Sequence, residues 1–200
     1  MRQKADMDSF RRRIPFKFSE QESGEDAEIL DEQQQDAVVE KLRRANAVAS
    51  AQYQLMLRIT LVLSALLQLV FLFSPSKQSP LLIIFPSSVE HEPSIPFPSC
   101  FTLLSLFLHL NLAILCHPDL VRVHLHLNNN PQPLSYELLY SMSAVPPTLS
   151  LFLQKTWQTT VWWCSPALII FIVQSVMDVI ETGNQSVAEL ESLKYVAPGA

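Results

Sequence analysis

Residues 59–76 read ITLVLSALLQLVFLFSPS, an uncharged, leucine-rich run that begins immediately after Arg58. At ~1.5 Å per helical residue such a run is of the length that crosses bilayer hydrocarbon, which takes about 20 mainly apolar residues. A longer polar segment precedes it and further apolar runs follow. The solvent of this chain is therefore lipid for much of its length. The expected fold is an all-α integral membrane protein with about three transmembrane helices and a long cytoplasmic N-terminal helix continuous with the first span. The bilayer is accordingly the first expected partner.

The charge distribution agrees with that division. Charged residues make up 16% of the chain, against ~25% in soluble domains, and they are concentrated. Residues 1–44 carry nine Lys and Arg and eleven Asp and Glu, whereas residues 59–76 carry none. The formal net charge of -5 offers no basic face for nucleic acid. Cys100, Cys116 and Cys164 lie in or beside apolar runs, an odd set that argues against a disulfide framework and for packing as small hydrophobes. No catalytic, cofactor or metal signature stands out. The first apolar run begins more than fifty residues in, behind many charges, which fits an uncleaved signal-anchor better than a cleaved signal peptide.

Residues 1–28 are polar and charge-mixed without an apolar stripe, and read as a disordered cytoplasmic tail. Residues 29–54 read as a cytoplasmic amphipathic helix. Asp31 and Gln34 stand in a capping-box-like spacing at its start, and Val38, Leu42, Ala45 and Ala49 recur at three- or four-residue steps. That stripe is a candidate face for a partner helix, of coiled-coil type. Residues 55–73 form the first expected span, entered near Leu55. Residues 74–94 are a Pro-rich lumenal loop, and residues 95–116 the second span. Residues 117–155 read as a cytoplasmic connection. Within it, residues 138–153 are apolar but interrupted by Pro146-Pro147, which favours an interfacial or re-entrant segment, with a fourth span as the other reading. Residues 156–177 form the third span. Trp157, Trp162 and Trp163 near its start suggest a headgroup level. Residues 178–200 are an acidic polar tail.

Lys41, Arg43, Arg44 and Arg58 crowd the approach to the first span, whereas the loop after it holds only Lys77. The positive-inside rule then predicts a cytoplasmic N-terminus. With three spans the C-terminus would be lumenal, and the sequon Asn184-Gln185-Ser186 becomes a possible glycosylation site.

Helix association in lipid relies on close packing and polar contacts. The three glycines, Gly24, Gly183 and Gly199, lie outside the spans, so a GxxxG pair is excluded. Small and polar residues still align as Thr60-Ser64-Gln68, as Thr102-Ser105-His109-Ala113-Cys116, and as Thr160-Cys164-Ala167-Gln174-Asp178. Inward-facing stripes would bring Gln68, Gln174 and Ser105 or Thr102 together in the half of the bilayer away from the cytoplasm. His109, near the middle of the second span, is either a neutral imidazole bonded to a neighbouring helix or a functional ionisable group. A relay from His109 to Asp178 is disfavoured by their different depths.

His117, His124 and His126 match no structural zinc spacing, and Glu90-His91-Glu92 is a weak polar patch. Phe10-Arg11-Arg12-Arg13 fits the hydrophobic-Arg-x-Arg pattern of endoplasmic-reticulum retention signals. An Arg cluster held at anionic lipid explains it equally. The sequence therefore predicts a non-enzymatic adapter, assembly factor or accessory subunit of the endoplasmic reticulum or another endomembrane, with membrane or cytoplasmic proteins as partners. The alternative is a small transporter or membrane enzyme using His109.

Overall fold

The computed structural model describes residues 32–86, 95–116 and 132–193, and these residues are helical with no strand among them. The helices are α1 (Glu32–Phe73), the single turn α2 (Leu81–Ile84), α3 (Pro98–Cys116), α4 (Tyr136–Phe152) and α5 (Trp157–Ser192). Stretches within α1, α3 and α5 are long and apolar enough to cross a membrane. The protein is thus a helical membrane bundle whose first span continues an N-terminal helix of polar character, since α1 runs unbroken for 42 residues. No Gly or Pro interrupts it.

Side-chain pairs fix the direction of each helix. Asn46 of α1 meets Asn184 of α5, Gln68 meets Ser165, and Phe71 meets Trp162. Positions that rise on α1 fall on α5, so the two are antiparallel. Ser64 meets His109, which with Phe71 close to Trp163 and Trp163 close to Phe101 sets α3 antiparallel to α1 as well. Tyr140 bonds Gln174 and Ser150 meets Thr160, so α4 runs counter to α5 and alongside α1 in direction. The start of α1 and the end of α5 consequently share one end of the bundle, called the near end below.

Four helices supply one core. Leu57 and Leu61, Leu108 and Leu112, Leu139, and Ile169, Ile170 and Val173 form a single buried cluster. A second cluster at the far end joins Phe71, Ile95, Trp162 and Trp163. The Trp reading needs correction there. Trp157 is exposed, as a headgroup-level residue would be, but Trp163 is only 2% exposed and packs edge-on against Phe71 and Phe101. The two buried indoles thus supply large apolar area to the contact between α1 and α5.

Two further expectations change. The segment that Pro146-Pro147 was expected to break is the continuous helix α4, with both prolines buried inside it. Membrane helices tolerate proline because neighbouring helices and hydroxyl side chains answer the freed backbone groups. The acidic tail is also helical as far as Ser192, as the last part of α5. The disordered tail expected at 1–28 lies outside the described residues.

At the far end Lys77 closes α1. Its Nζ donates to the carbonyls of Phe71 and Leu72 in the last turn, where the Phe71 carbonyl also accepts from the Ser74 N–H. The chain then crosses to α5. Ser79 Oγ donates to the Gln158 carbonyl at 3.2 Å, Gln158 Nε2 donates to the Phe85 carbonyl at 3.3 Å, and Phe85 packs on Trp157.

The shared core gives a test. Ile170→Ala should lower stability by roughly 2–5 kcal/mol through the cavity it leaves, read as a lower thermal midpoint in detergent. Val62→Ala, on the outward face, should shift it by no more than about 0.5 kcal/mol. Equal losses at the two positions would show that the cluster is not the core.

Candidate functional site

The inner face of α3 is polar in the middle of an apolar helix. Thr102, Ser105, His109 and Asn111 are all buried, and His109 is only 3% exposed. The spacing of the first three places them on one stripe, and that stripe faces the Thr60-Ser64-Gln68 stripe of α1.

His109 is held at both ring nitrogens. Nδ1 stands 2.7 Å from the Ser105 carbonyl one turn back, and Nε2 stands 2.8 Å from Ser64 Oγ on α1. A carbonyl only accepts, so Nδ1 carries the proton. In a neutral imidazole Nε2 then accepts, and the Ser64 hydroxyl donates to it. The ring thus ties two helices together in the tautomer that satisfies both contacts. Asp178 is exposed at the near end, well away in level from His109, and no relay joins them.

The expected meeting of Gln68 and Gln174 does not occur. Gln68 is buried and its Nε2 donates to Ser165 Oγ at 3.3 Å, whereas Gln174 Oε1 accepts from the Tyr140 hydroxyl at 3.0 Å. The direction of α5 is the reason. Running counter to α1, it carries Gln174 toward the near end and leaves Gln68 deeper. Ser105 does share a level with Gln68, each one turn beyond the His109–Ser64 pair. No hydrogen bond joins them, and Gln68 Oε1 and Ser105 Oγ are buried without a partner among the described residues.

Other polar contacts escaped the sequence reading. Asn111 Oδ1 accepts from the backbone N–H of Leu134 at 2.9 Å, which fastens the approach to α4 onto α3. Ser150 and Thr160 pair at 2.9 Å across the α4–α5 turn. The asparagine was visible as a lone amide in an apolar run, but nothing in the sequence marked Leu134 as its partner. Of the third stripe, Cys164 and Asp178 are exposed, so α5 presents mainly bulky residues inward.

Outside the apolar region, α1 and α5 continue to pack. Asn46 Nδ2 donates to Asn184 Oδ1 at 2.7 Å, and Arg43 stands 3.8 Å from Glu191, an exposed pair worth little. A Cβ at Gly183 would lie 2.6 Å from Asn46 Oδ1, so the lack of a side chain there leaves room for the Asn46 amide. Arg44 pairs with Glu40 one turn back.

This contact bears on the partner stripe. Leu42 and Ala49 share the face of Asn46 and are half-buried, Val38 is half-buried, and Ala45 is exposed. The α1 residues that line the groove against α5 are Arg43, Asn46, Ala47 and Ser50, none of them from that stripe.

Among the described residues no group of three His, Cys, Asp or Glu side chains is placed to hold a metal ion. Phe10, Arg11, Arg12 and Arg13 lie outside the described residues, as do His117, His124, His126 and Glu90-His91-Glu92.

Double-mutant cycles separate these contacts. Ser64→Ala combined with His109→Leu should show a coupling of about 0.6–2 kcal/mol in detergent unfolding. Gln68→Leu combined with Gln174→Leu should add to within about 0.5 kcal/mol, as sites without shared partners do. The reverse pattern would contradict the helix directions given above.

No protein-family model matches the chain, and neither a curated protein nor a solved structure matches it.

Proposed function

We propose that the protein is a non-enzymatic adapter, assembly factor or accessory subunit of the endoplasmic reticulum or another endomembrane, with its N-terminus in the cytoplasm. The observation that carries this reading is the pair of helices extending past the apolar stretches. The early turns of α1 and the late turns of α5 pack on each other through Asn46, Asn184 and Gly183. They form a polar projection with an open groove between them, and such a surface suits binding better than chemistry.

Two further features support it. The basic residues near the first span favour a cytoplasmic start, where Phe10-Arg11-Arg12-Arg13 would be accessible to a retention receptor. His109, the residue on which a transporter or enzyme would rest, has both ring nitrogens engaged in structural hydrogen bonds. That arrangement suits a strut between helices.

With Val38, Leu42 and Ala49 half-buried, the surface left for a partner helix runs through Ala45 and Val48, which are exposed and one turn apart. Full-length tagged protein extracted in mild detergent should run on a native gel in an assembly larger than the chain. Ala45→Asp and Val48→Asp should release it as the free chain at normal abundance, whereas His109→Ala should leave the partner bound. Migration of the wild-type protein alone would sink the adapter reading.

A further inference from the structure

We propose that α4 is a fourth membrane crossing and that the start of α1 and the end of α5 project from the same membrane face. This holds whatever the projection recruits.

The argument starts from depth. The apolar part of α5 is bounded by the Lys155 turn on one side and Asp178 on the other. Tyr140 meets Gln174 near the second boundary, and Ser150 meets Thr160 near the first. α4 therefore lies beside α5 through essentially the whole thickness that α5 spans. Its 17 residues measure about 26 Å, close to the ~27 Å hydrocarbon thickness of an endoplasmic-reticulum bilayer. A re-entrant segment would have to reverse within that thickness, and α4 is unbroken even through Pro146-Pro147.

The outward surface of α4 suits lipid. Leu138, Val145, Leu151 and Phe152 are exposed. The exposed hydroxyls of Ser141 and Thr148 each donate to carbonyls of their own helix, at 2.8 Å and 2.9 Å. A hydroxyl turned back in this way shows no unpaired donor to hydrocarbon. The charged residue Glu137 sits at the near end of α4, where it reaches water.

Four crossings return the chain to its starting face. The direct sign is that Asn184 and Glu191 lie against Asn46 and Arg43, at an end that a three-crossing chain would place on the opposite side. The levels agree. With Asn46 beside Asn184 and Gln68 beside Ser165, Asp178 falls opposite the turn of α1 around Tyr53 and Leu55, where the polar half of α1 ends. Both helices leave the lipid together.

A consequence concerns the sequon. Asn184 is inside α5, and its Oδ1 accepts from Asn46. With a cytoplasmic N-terminus it stands on the face that oligosaccharide transferase does not serve, so Asn184 carries no glycan.

The test uses the full chain with an epitope tag at each end, expressed in cells with the plasma membrane alone permeabilised. Both tags should be digested by added protease to the same extent. In a variant with Cys100, Cys116 and Cys164 replaced by Ser, Gln185→Cys should react with a membrane-impermeant maleimide under these conditions. Gln154→Cys, in the α4–α5 turn, should react only after the internal membranes are opened, a gain of at least tenfold. Tags on opposite faces would overturn the proposal. So would Gln154→Cys reacting together with Gln185→Cys, which would make α4 re-entrant. The tag experiment needs no substitution, so misfolding of a cysteine variant does not shield the claim.

Discussion

The antiparallel contact of α1 with α5 governs the molecule. It sets the level of every residue on one helix against a residue on the other, from Phe71 beside Trp162 to Arg43 beside Glu191. In lipid no hydrophobic force drives helices together, so close packing and internal hydrogen bonds must do so. The contact provides both, with aromatic rings at the far end, aliphatic side chains in the middle and a glycine that leaves room for the Asn46 amide at the near end. α3 packs on α1 and α5, α4 packs on α5 and α3, and together they complete the shared cluster around Leu108, Leu112 and Leu139.

Polar groups within the bundle are spread among pairs rather than gathered into one site. His109 joins α3 to α1, Gln68 joins α1 to α5, and Tyr140 and Gln174 join α4 to α5. These contacts tie α3 to α1, α1 to α5 and α4 to α5, each at its own depth. Such contacts specify which helix lies next to which and at what vertical offset, a task that uniform leucine packing performs poorly.

Much of this was legible in the sequence. The apolar runs located α1, α3 and α5, and the Thr60-Ser64-Gln68 and Thr102-Ser105-His109 stripes face the interior as their spacing requires. The direction of α5 was not legible, and charge counting shows why. With three crossings, Lys77 and Lys194 are the basic residues left on the second face; with four, they are Lys77 and Lys155. The tally is the same in both, so the positive-inside rule has nothing to choose between. Proline was the other source of error. Pro146-Pro147 reads as a stop in water, yet α4 passes through it unbroken with both prolines buried. The misjudged direction then carried Gln174 to the wrong depth and with it the expected Gln68 contact.

The short turn between Phe152 and Trp157 has a biosynthetic consequence. Pro146 and Pro147 bring no backbone N–H, and Ser150 finds its side-chain partner only in Thr160 across the turn. On the four-crossing topology proposed above, α4 and α5 would enter the membrane as a helical hairpin, each packing most closely on the other.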